Sequence, residues 1–286
     1  MATTSNAALR KKTPFHVSIF AKQTTSRMTE QNPPPQPFAW PVVRTFGVDA
    51  PWRWLRAGTA DLAGAPVASL FYGLLLSVMG FLLVRYNAGA IGLAFATGFL
   101  IVGPLLAIGL YDISRRRELG ERVDLAPTLT AWDRNFAAIG FFALIMALLL
   151  AVWIRVSVVV VALFFPDGVP ALADLVAHVA KSPEAWVFIL AYFAAGGGLA
   201  LFVFAIAAVS LPMLLDRERM DVISAMITSF NVLRKNFAPM LLWAGIVVVF
   251  TAIGFATWFV GLVVAMPIIG HATWHAYRDA VERAPG

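Results

Sequence analysis

Apolar residues in this chain are collected into long runs separated by short polar segments. The runs cover residues 65–84, 88–111, 136–165, 185–211 and 239–274. A helix needs about 20 apolar residues to cross the hydrocarbon core of a membrane, which is about 30 Å thick. The first four runs therefore predict one membrane-spanning helix each.

The fifth run is too long for one ordinary span, because a straight helix over it would be about 50 Å long. We interpret it as two helices that fold back near Gly254 to Gly261, with Thr257 and Trp258 at the membrane surface. One long tilted helix is the alternative. The predicted fold class is all-α: a polytopic bundle with six transmembrane helices in residues 65–277, followed by a tail at 278–286.

The positive charges favour six spans over five. With a cytoplasmic N-terminus, 19 of the 22 Lys and Arg residues fall on the cytoplasmic side, whereas Arg85 and Lys181 fall opposite and Arg155 lies within a run. Such an asymmetry in short loops fixes the orientation of a membrane protein. Both termini are therefore predicted to be cytoplasmic.

The N-terminal region differs from the rest in composition. Residues 1–50 are basic and Pro-rich and are predicted to be a disordered cytoplasmic segment. Within it, residues 1–27 are interpreted as an extension upstream of a natural start at Met28, with a transit peptide as the alternative. Residues 51–64 combine Trp with Arg and predict a helix that lies in the membrane interface.

Two polar loops and the spans after them match each other at an offset of 101 residues. Arg134-Asn135-Phe136-Ala137 corresponds to Lys235-Asn236-Phe237-Ala238. This internal repeat predicts units that contain a span, a proline break, an amphipathic cytoplasmic helix and a returning span. The three proline positions are Pro104, Pro212 and Pro267.

The second loop shows the predicted amphipathic helix best. Apolar residues recur every three or four positions, which is helical spacing, at Met220, Ile223, Ile227, Phe230 and Leu233. This face is predicted to pack against the cytoplasmic ends of the spans. A gate or a docking surface is the alternative.

Three segments resemble the signatures of an uncharacterised bacterial family of predicted integral membrane proteins. They are residues 103–111 (GPLLAIGLY), 211–217 (LPMLLDR) and 270–278 (GHATWHAYR). The resemblance covers roughly residues 50–282 and implies a bacterial inner-membrane location, with no activity attached. Some members are labelled cytochrome c oxidase subunit I, but that subunit needs six His ligands and this chain has four His residues.

The composition excludes several kinds of functional site. The chain is 60% apolar and 13% charged and has no Cys. Thiolate metal sites, disulfides and Cys nucleophiles are therefore excluded. The sequence contains no phosphate-binding loop, dinucleotide fingerprint or hydrolase triad motif. We accordingly expect no enzymatic activity, no cofactor, no metal site and no nucleic-acid partner.

Two His residues are the weak candidates for a cofactor site. His271 and His275 lie four residues apart and share one face of a helix, so they are possible ligands of a metal or haem. Hydrogen bonding to neighbouring helices is the preferred interpretation. Trp274 and Arg278 belong to the same signature and are predicted to have a structural or functional role.

Arg155 is the one charged residue within a long run. Its position predicts a side chain that reaches the outer interface. The small residues Ser69, Gly73 and Ser77 predict a closely packed helix face, as do Gly196 to Gly198, where a flexible break along a transport path is the alternative.

Three functions remain open on the sequence. The first is a non-enzymatic scaffold or assembly factor for another membrane complex, with the lipid bilayer and that complex, or a second copy of the chain, as partners. The second is a small-molecule transporter or channel. The third is a haem- or metal-binding membrane protein that uses His271 and His275.

Overall fold

The computed structural model describes Met1 and residues 40–85, 107–164 and 183–283. The chain divides into two compact units, Met1–Trp40 and Pro41–Gly286, and all the helices described below lie in the second unit. This part of the chain is helical throughout, apart from turns and one isolated backbone bridge between Val43 and Val281. The all-α prediction is confirmed for these residues.

The described helices alternate between long apolar and shorter polar segments. In chain order they are α1 (Ala50–Gly64), α2 (Pro66–Arg85), α3 (residues 107–118), α4 (Leu125–Thr128), a 3₁₀ helix (Ala131–Asn135), α5 (Phe136–Phe164), α6 (Pro183–Ala207), α7 (Ser210–Asp216), α8 (Val222–Lys235), α9 (Phe237–Ala256) and α10 (Leu262–Ala280).

Three of the described segments are long and apolar enough to cross a membrane: Leu125–Phe164, Trp186–Asp216 and Phe237–Ala256. A fourth candidate is the pair α1 and α2, which are bent by 107° at Ala65. Most of the predicted span at 88–111 lies outside the described residues. The described part of the chain thus contains three to four candidate spans.

The last apolar run forms two helices, as predicted. After α9, residues 257–261 form a turn in which Trp258 and Phe259 have positive φ angles of 54° and 69°. The start of α9 and the end of α10 both contact the segment 42–46: Asn236 Nδ2 donates to Arg44 O over 2.9 Å, and Glu282 N donates to Val42 O over 3.0 Å. The chain therefore folds back between the two helices.

Helix α2 packs antiparallel to α10 through small residues. Ser69 contacts His271, and further along α2 the Ser77 hydroxyl donates to Phe259 O over 2.7 Å. Between them, a methyl group added at Gly73 would overlap the carbonyl oxygen of Val263. The small-residue face predicted on α2 is confirmed as a close packing face.

The predicted proline break at Pro267 is wrong, because α10 continues through this residue. Proline removes one hydrogen bond, and in a regular helix the carbonyl left without a donor belongs to the residue four positions earlier. That residue is Val263, against which Gly73 packs. The freed carbonyl thus lies at the contact between α2 and α10.

At Pro212 the break falls earlier than the proline. Helix α6 ends at Ala207, and α7 begins at Ser210 after a two-residue turn. The amide of Val209 at this turn donates to the Ser229 hydroxyl of α8 over 3.3 Å. Pro104 lies outside the described residues.

The predicted inward face of α8 is wrong at its centre, although Met220, just before the helix, and Leu233, near its end, are buried as predicted. Ile223, Ile227 and Phe230 are exposed by 53%, 42% and 48%. The face that packs inward contains small or polar residues instead: Ser224, Ala225, Thr228, Ser229 and Val232. Small side chains let α8 approach the turn between α6 and α7, where the Ser229 hydroxyl pairs with the free amide of Val209.

The repeat also predicted an amphipathic helix in the first of its two loops, which follows α3. The described structure does not contain that helix. The loop forms only α4, which has four residues, and a 3₁₀ helix of five residues. Residues 41–46 are also ordered through backbone hydrogen bonds, although they fall within the segment predicted to be disordered.

Candidate functional site

Polar side chains on the second half of α10 form the largest set of contacts between helices in the described structure. We call this set the α10 polar cluster; it consists of His271, Trp274, His275, Tyr277, Arg278 and Asp279. A helix surface presents residues three and four positions apart to the same neighbour. The cluster therefore contacts several segments at once.

His271 is fully buried between α2 and α3. Its Nε2 lies 2.9 Å from the Ser69 hydroxyl, and its Nδ1 lies 2.8 Å from the Ser114 hydroxyl. A neutral imidazole has one donor and one acceptor nitrogen, and a hydroxyl can serve as either partner. Both ring nitrogens are thus occupied by hydrogen bonds within the protein.

Asp61 of α1 joins side chains from two different helices. Its carboxylate accepts from Arg117 Nε over 2.9 Å and lies 2.8 Å from His275 Nε2. The aspartate side chain is only 10% exposed. Removing this carboxylate leaves Arg117 and His275, which are partly buried, without their acceptor, which is destabilising.

Glu118, at the end of α3, is surrounded by donors. Its Oε1 accepts from Arg278 Nη2 over 2.9 Å and from Arg283 Nη2 over 2.8 Å, and its Oε2 accepts from Trp274 Nε1 over 3.1 Å. Partial burial by itself raises the pKa of Glu118, but the hydrogen bond and charge of Arg278, with Trp274 and Arg283, hold it below its ordinary value.

Asp216 extends these contacts to α7. Its Oδ2 accepts from the Tyr277 hydroxyl over 2.6 Å and from Arg278 Nη1 over 3.1 Å. The Tyr277 hydroxyl is the donor in this pair, because the ionised Asp216 carboxylate can only accept. Arg278 therefore bridges α3 and α7 through two carboxylates.

Asp279 completes the cluster on the side of α1. Its Oδ2 accepts from Trp54 Nε1 over 3.0 Å and from Arg53 Nη2 over 3.1 Å. Nearby, a Cβ atom at Gly58 would lie 2.7 Å from the backbone amide nitrogen of Ala272. Polar pairing and close backbone contact both hold α1 against α10.

In the structure, His271 and His275 both form hydrogen bonds within the protein. Each is paired with side chains from other helices, which is the preferred interpretation from the sequence. Among the described residues, no group of three or more His, Asp or Glu side chains is arranged to hold a metal ion. Trp274 and Arg278 both belong to the cluster, as their shared signature predicted.

Arg155 lies apart from the cluster. It is an exposed residue in the second half of α5 and has no hydrogen bond or ion pair with any described residue. Its position on the surface of a long apolar helix agrees with a side chain that extends towards the membrane interface.

Several residues of the site were not identified from the sequence. They are Asp61, Ser69, Ser114, Arg117, Glu118 and Asp216. The residues that pair with α10 are 60 to 226 positions away in the sequence, and no local periodicity reports such a contact. The sequence feature that could have identified such residues is a carboxylate beside an apolar run, as at Asp61 and Asp112.

Comparison with known proteins gives one match. No curated protein and no solved structure matches the chain. A family model described as "Predicted integral membrane protein (DUF2189)" matches residues 92–216, which include the first resembling segment and all but the last residue of the second. Over these residues the chain is similar to a family of predicted integral membrane proteins whose function is unknown, and the resemblance noted in its sequence is confirmed there.

Proposed function

We propose that this protein is a non-enzymatic membrane scaffold or accessory factor for another membrane complex. In this proposal its helices form a fixed unit that presents lipid-facing and loop surfaces to a partner protein. The polar and charged side chains of the α10 polar cluster connect helices of the same chain.

The observation that carries the proposal is the use of polar groups in the α10 polar cluster. His271 uses both ring nitrogens, and Glu118 accepts from three different side chains. No buried side-chain nitrogen or oxygen within the described residues lacks a hydrogen-bond partner. Such saturation is typical of groups that hold a structure together and leaves few groups for catalysis.

The arrangement of helix ends supports six spans in a bacterial inner membrane with both termini cytoplasmic. Asn135, at the start of α5, donates to Met220 O beyond the end of α7. Asp216 contacts Arg278 near the end of α10, and Asn236 at the start of α9 contacts residues 44 and 46. These ends form one polar layer that contains the basic loops, as the positive-inside rule requires of a cytoplasmic side.

The cavities along α5 and α6 favour a scaffold over a transporter. A cavity of about 510 Å³ lies between these helices and is lined by apolar and aromatic side chains with one polar member, Tyr192. Helix α6 also continues through Gly196 to Gly198, and a Cβ atom at Gly196 would contact the Trp153 ring. Gly196 thus packs against Trp153, whereas no described atom lies within 4 Å of a Cβ atom added at Gly197 or Gly198.

Purification of the tagged full chain in mild detergent tests the proposed function. We expect mass spectrometry to find a membrane protein in fixed stoichiometry with the chain and absent from an unrelated membrane protein with the same tag. An optical spectrum of the same sample tests the haem alternative. A haem band that disappears in His275→Gln, or substrate-dependent flux in vesicles without any co-purifying protein, would overturn the proposal.

The proposed topology has its own test. A reporter active only in the cytoplasm is fused after residue 286, and Thr257→Cys is labelled from outside the intact membrane. We expect an active reporter and external labelling of the Cys. A silent reporter would instead indicate five spans.

A further inference from the structure

Four arginines meet around a small cavity at the edge of the α10 polar cluster. The cavity has a volume of about 290 Å³, and the charged residues in its wall are Arg115, Arg217, Arg278, Arg283, Glu118 and Asp216. We call it the arginine pocket. Two carboxylates face four guanidinium groups, so the wall itself carries a net charge of +2. One of the four, Arg115, is also paired with Asp112 behind the wall, over 2.9 Å.

The carboxylates of the pocket are already fully engaged. Oε1 of Glu118 accepts from both Arg278 and Arg283, and Oδ2 of Asp216 is shared by Tyr277 and Arg278. Four guanidinium groups offer about 20 N–H donors. The two carboxylates therefore leave donors free to bind a further acceptor.

The remaining arginines have free donors at the pocket. Arg283 is 76% exposed at its side chain, and its one hydrogen bond to a described residue is from Nη2 to Glu118. Arg217 contacts the Tyr277 hydroxyl through Nε, over a long distance of 3.4 Å, and the carbonyl of Glu282 through Nη2. Neither contact provides Arg217 with a negative charge.

We propose that the arginine pocket binds a phosphate group. Planar guanidinium groups with paired N–H donors match the oxygen geometry of phosphate, and a charge of about −2 would balance the wall. The proposal is independent of the scaffold role, since it concerns only this cavity. The phosphate comes either from an anionic phospholipid headgroup or from a soluble phosphate compound.

Two binding measurements on the full chain in detergent distinguish the sources. Native mass spectrometry counts retained phosphatidic acid against phosphatidylcholine. Thermal unfolding measures stabilisation by inorganic phosphate against sodium chloride of equal ionic strength. Preferential retention of phosphatidic acid assigns the site to a lipid headgroup, whereas stabilisation by phosphate alone assigns it to a soluble compound; either result supports the proposal.

Charge variants show whether the pocket is responsible. Arg217→Gln removes one cation, and binding is expected to weaken about tenfold, which corresponds to one charge-assisted hydrogen bond. Arg283→Glu also adds an anion, so its loss is expected to be larger. Arg122→Glu is the matched control, because Arg122 is exposed in the loop after α3 and does not line the pocket. Equal loss in the control, or no response to either ligand in the wild type, would overturn the proposal.

Discussion

Helix α10 and the pair α5–α6 are built by different means, although the sequence presents all three as apolar segments. The second half of α10 is buried and joined to α1, α2, α3 and α7 by side-chain hydrogen bonds. Between α5 and α6, the described side chains form one hydrogen bond, between the hydroxyls of Ser157 and Tyr192 over 2.8 Å, and ring contacts such as Trp153 with Tyr192.

The two regions differ in what holds their helices together. Lipid tails are as apolar as Leu side chains, so apolar contact between helices has no hydrophobic driving force. Small residues and polar pairs supply the association energy instead, and α10 has many of both. The exposed apolar surface of α5 is accordingly suited to lipid.

The largest effect is expected from Asp61→Ala. The change leaves Arg117 and His275 without their shared carboxylate and is expected to lower stability by about 3–5 kcal/mol. Thermal unfolding in detergent measures the loss. Asp133→Ala is the matched control, because Asp133 is exposed and has no described side-chain partner. An equal loss in both variants would contradict a special role for the cluster.

Gly73→Ala tests close packing on α10. The added methyl group overlaps the carbonyl oxygen of Val263, and we expect a loss of about 1–3 kcal/mol. Gly197→Ala makes the same chemical change on α6, where no described atom lies within 4 Å. If both variants unfold at the same temperature, our inference that the two regions differ in packing is wrong.

The pH dependence of stability tests the ion pairing of Glu118 in the α10 polar cluster. Because the folded pKa is below the ordinary value, the ionised carboxylate stabilises the fold above its unfolded pKa. This stability, about 1 kcal/mol, is lost as the pH falls through the folded pKa. We expect the difference in melting temperature between wild type and Glu118→Gln to shrink on acidification. A constant difference would contradict the ion pairing.

Ser157→Ala removes the hydrogen bond between α5 and α6. Such bonds inside membranes contribute about 0.6 kcal/mol on average, so the expected loss is small. Tyr192→Phe is a second measurement of the same bond. A loss as large as that of Asp61→Ala would show that the helix pair also depends on polar contacts.

Arg155→Ala is expected to have the smallest effect. The residue is exposed and has no described partner, so the change in stability is expected to stay within about 0.5 kcal/mol. Thermal unfolding again measures it. A larger loss would reveal a contact outside the described residues.

The apolar runs and turn residues were sufficient to predict much of the fold. Runs of apolar residues predicted α2, α5, α6 and the hairpin of α9 and α10, because a helix in lipid satisfies its own backbone hydrogen bonds. The spacing of Ser69, Gly73 and Ser77 likewise predicted close packing, which depends only on side-chain size.

Tertiary structure alone decided which face of α8 is buried and which residues pair with α10. Ser229 is buried because it meets the amide of Val209, and Pro267 stays within α10, where Gly73 packs against Val263. Asp61 and His275 lie 214 positions apart in the sequence, yet share one hydrogen bond. Local sequence fixes hydrophobicity and side-chain size, whereas the partner of a polar group depends on which distant segment the folded chain brings within 3 Å of it.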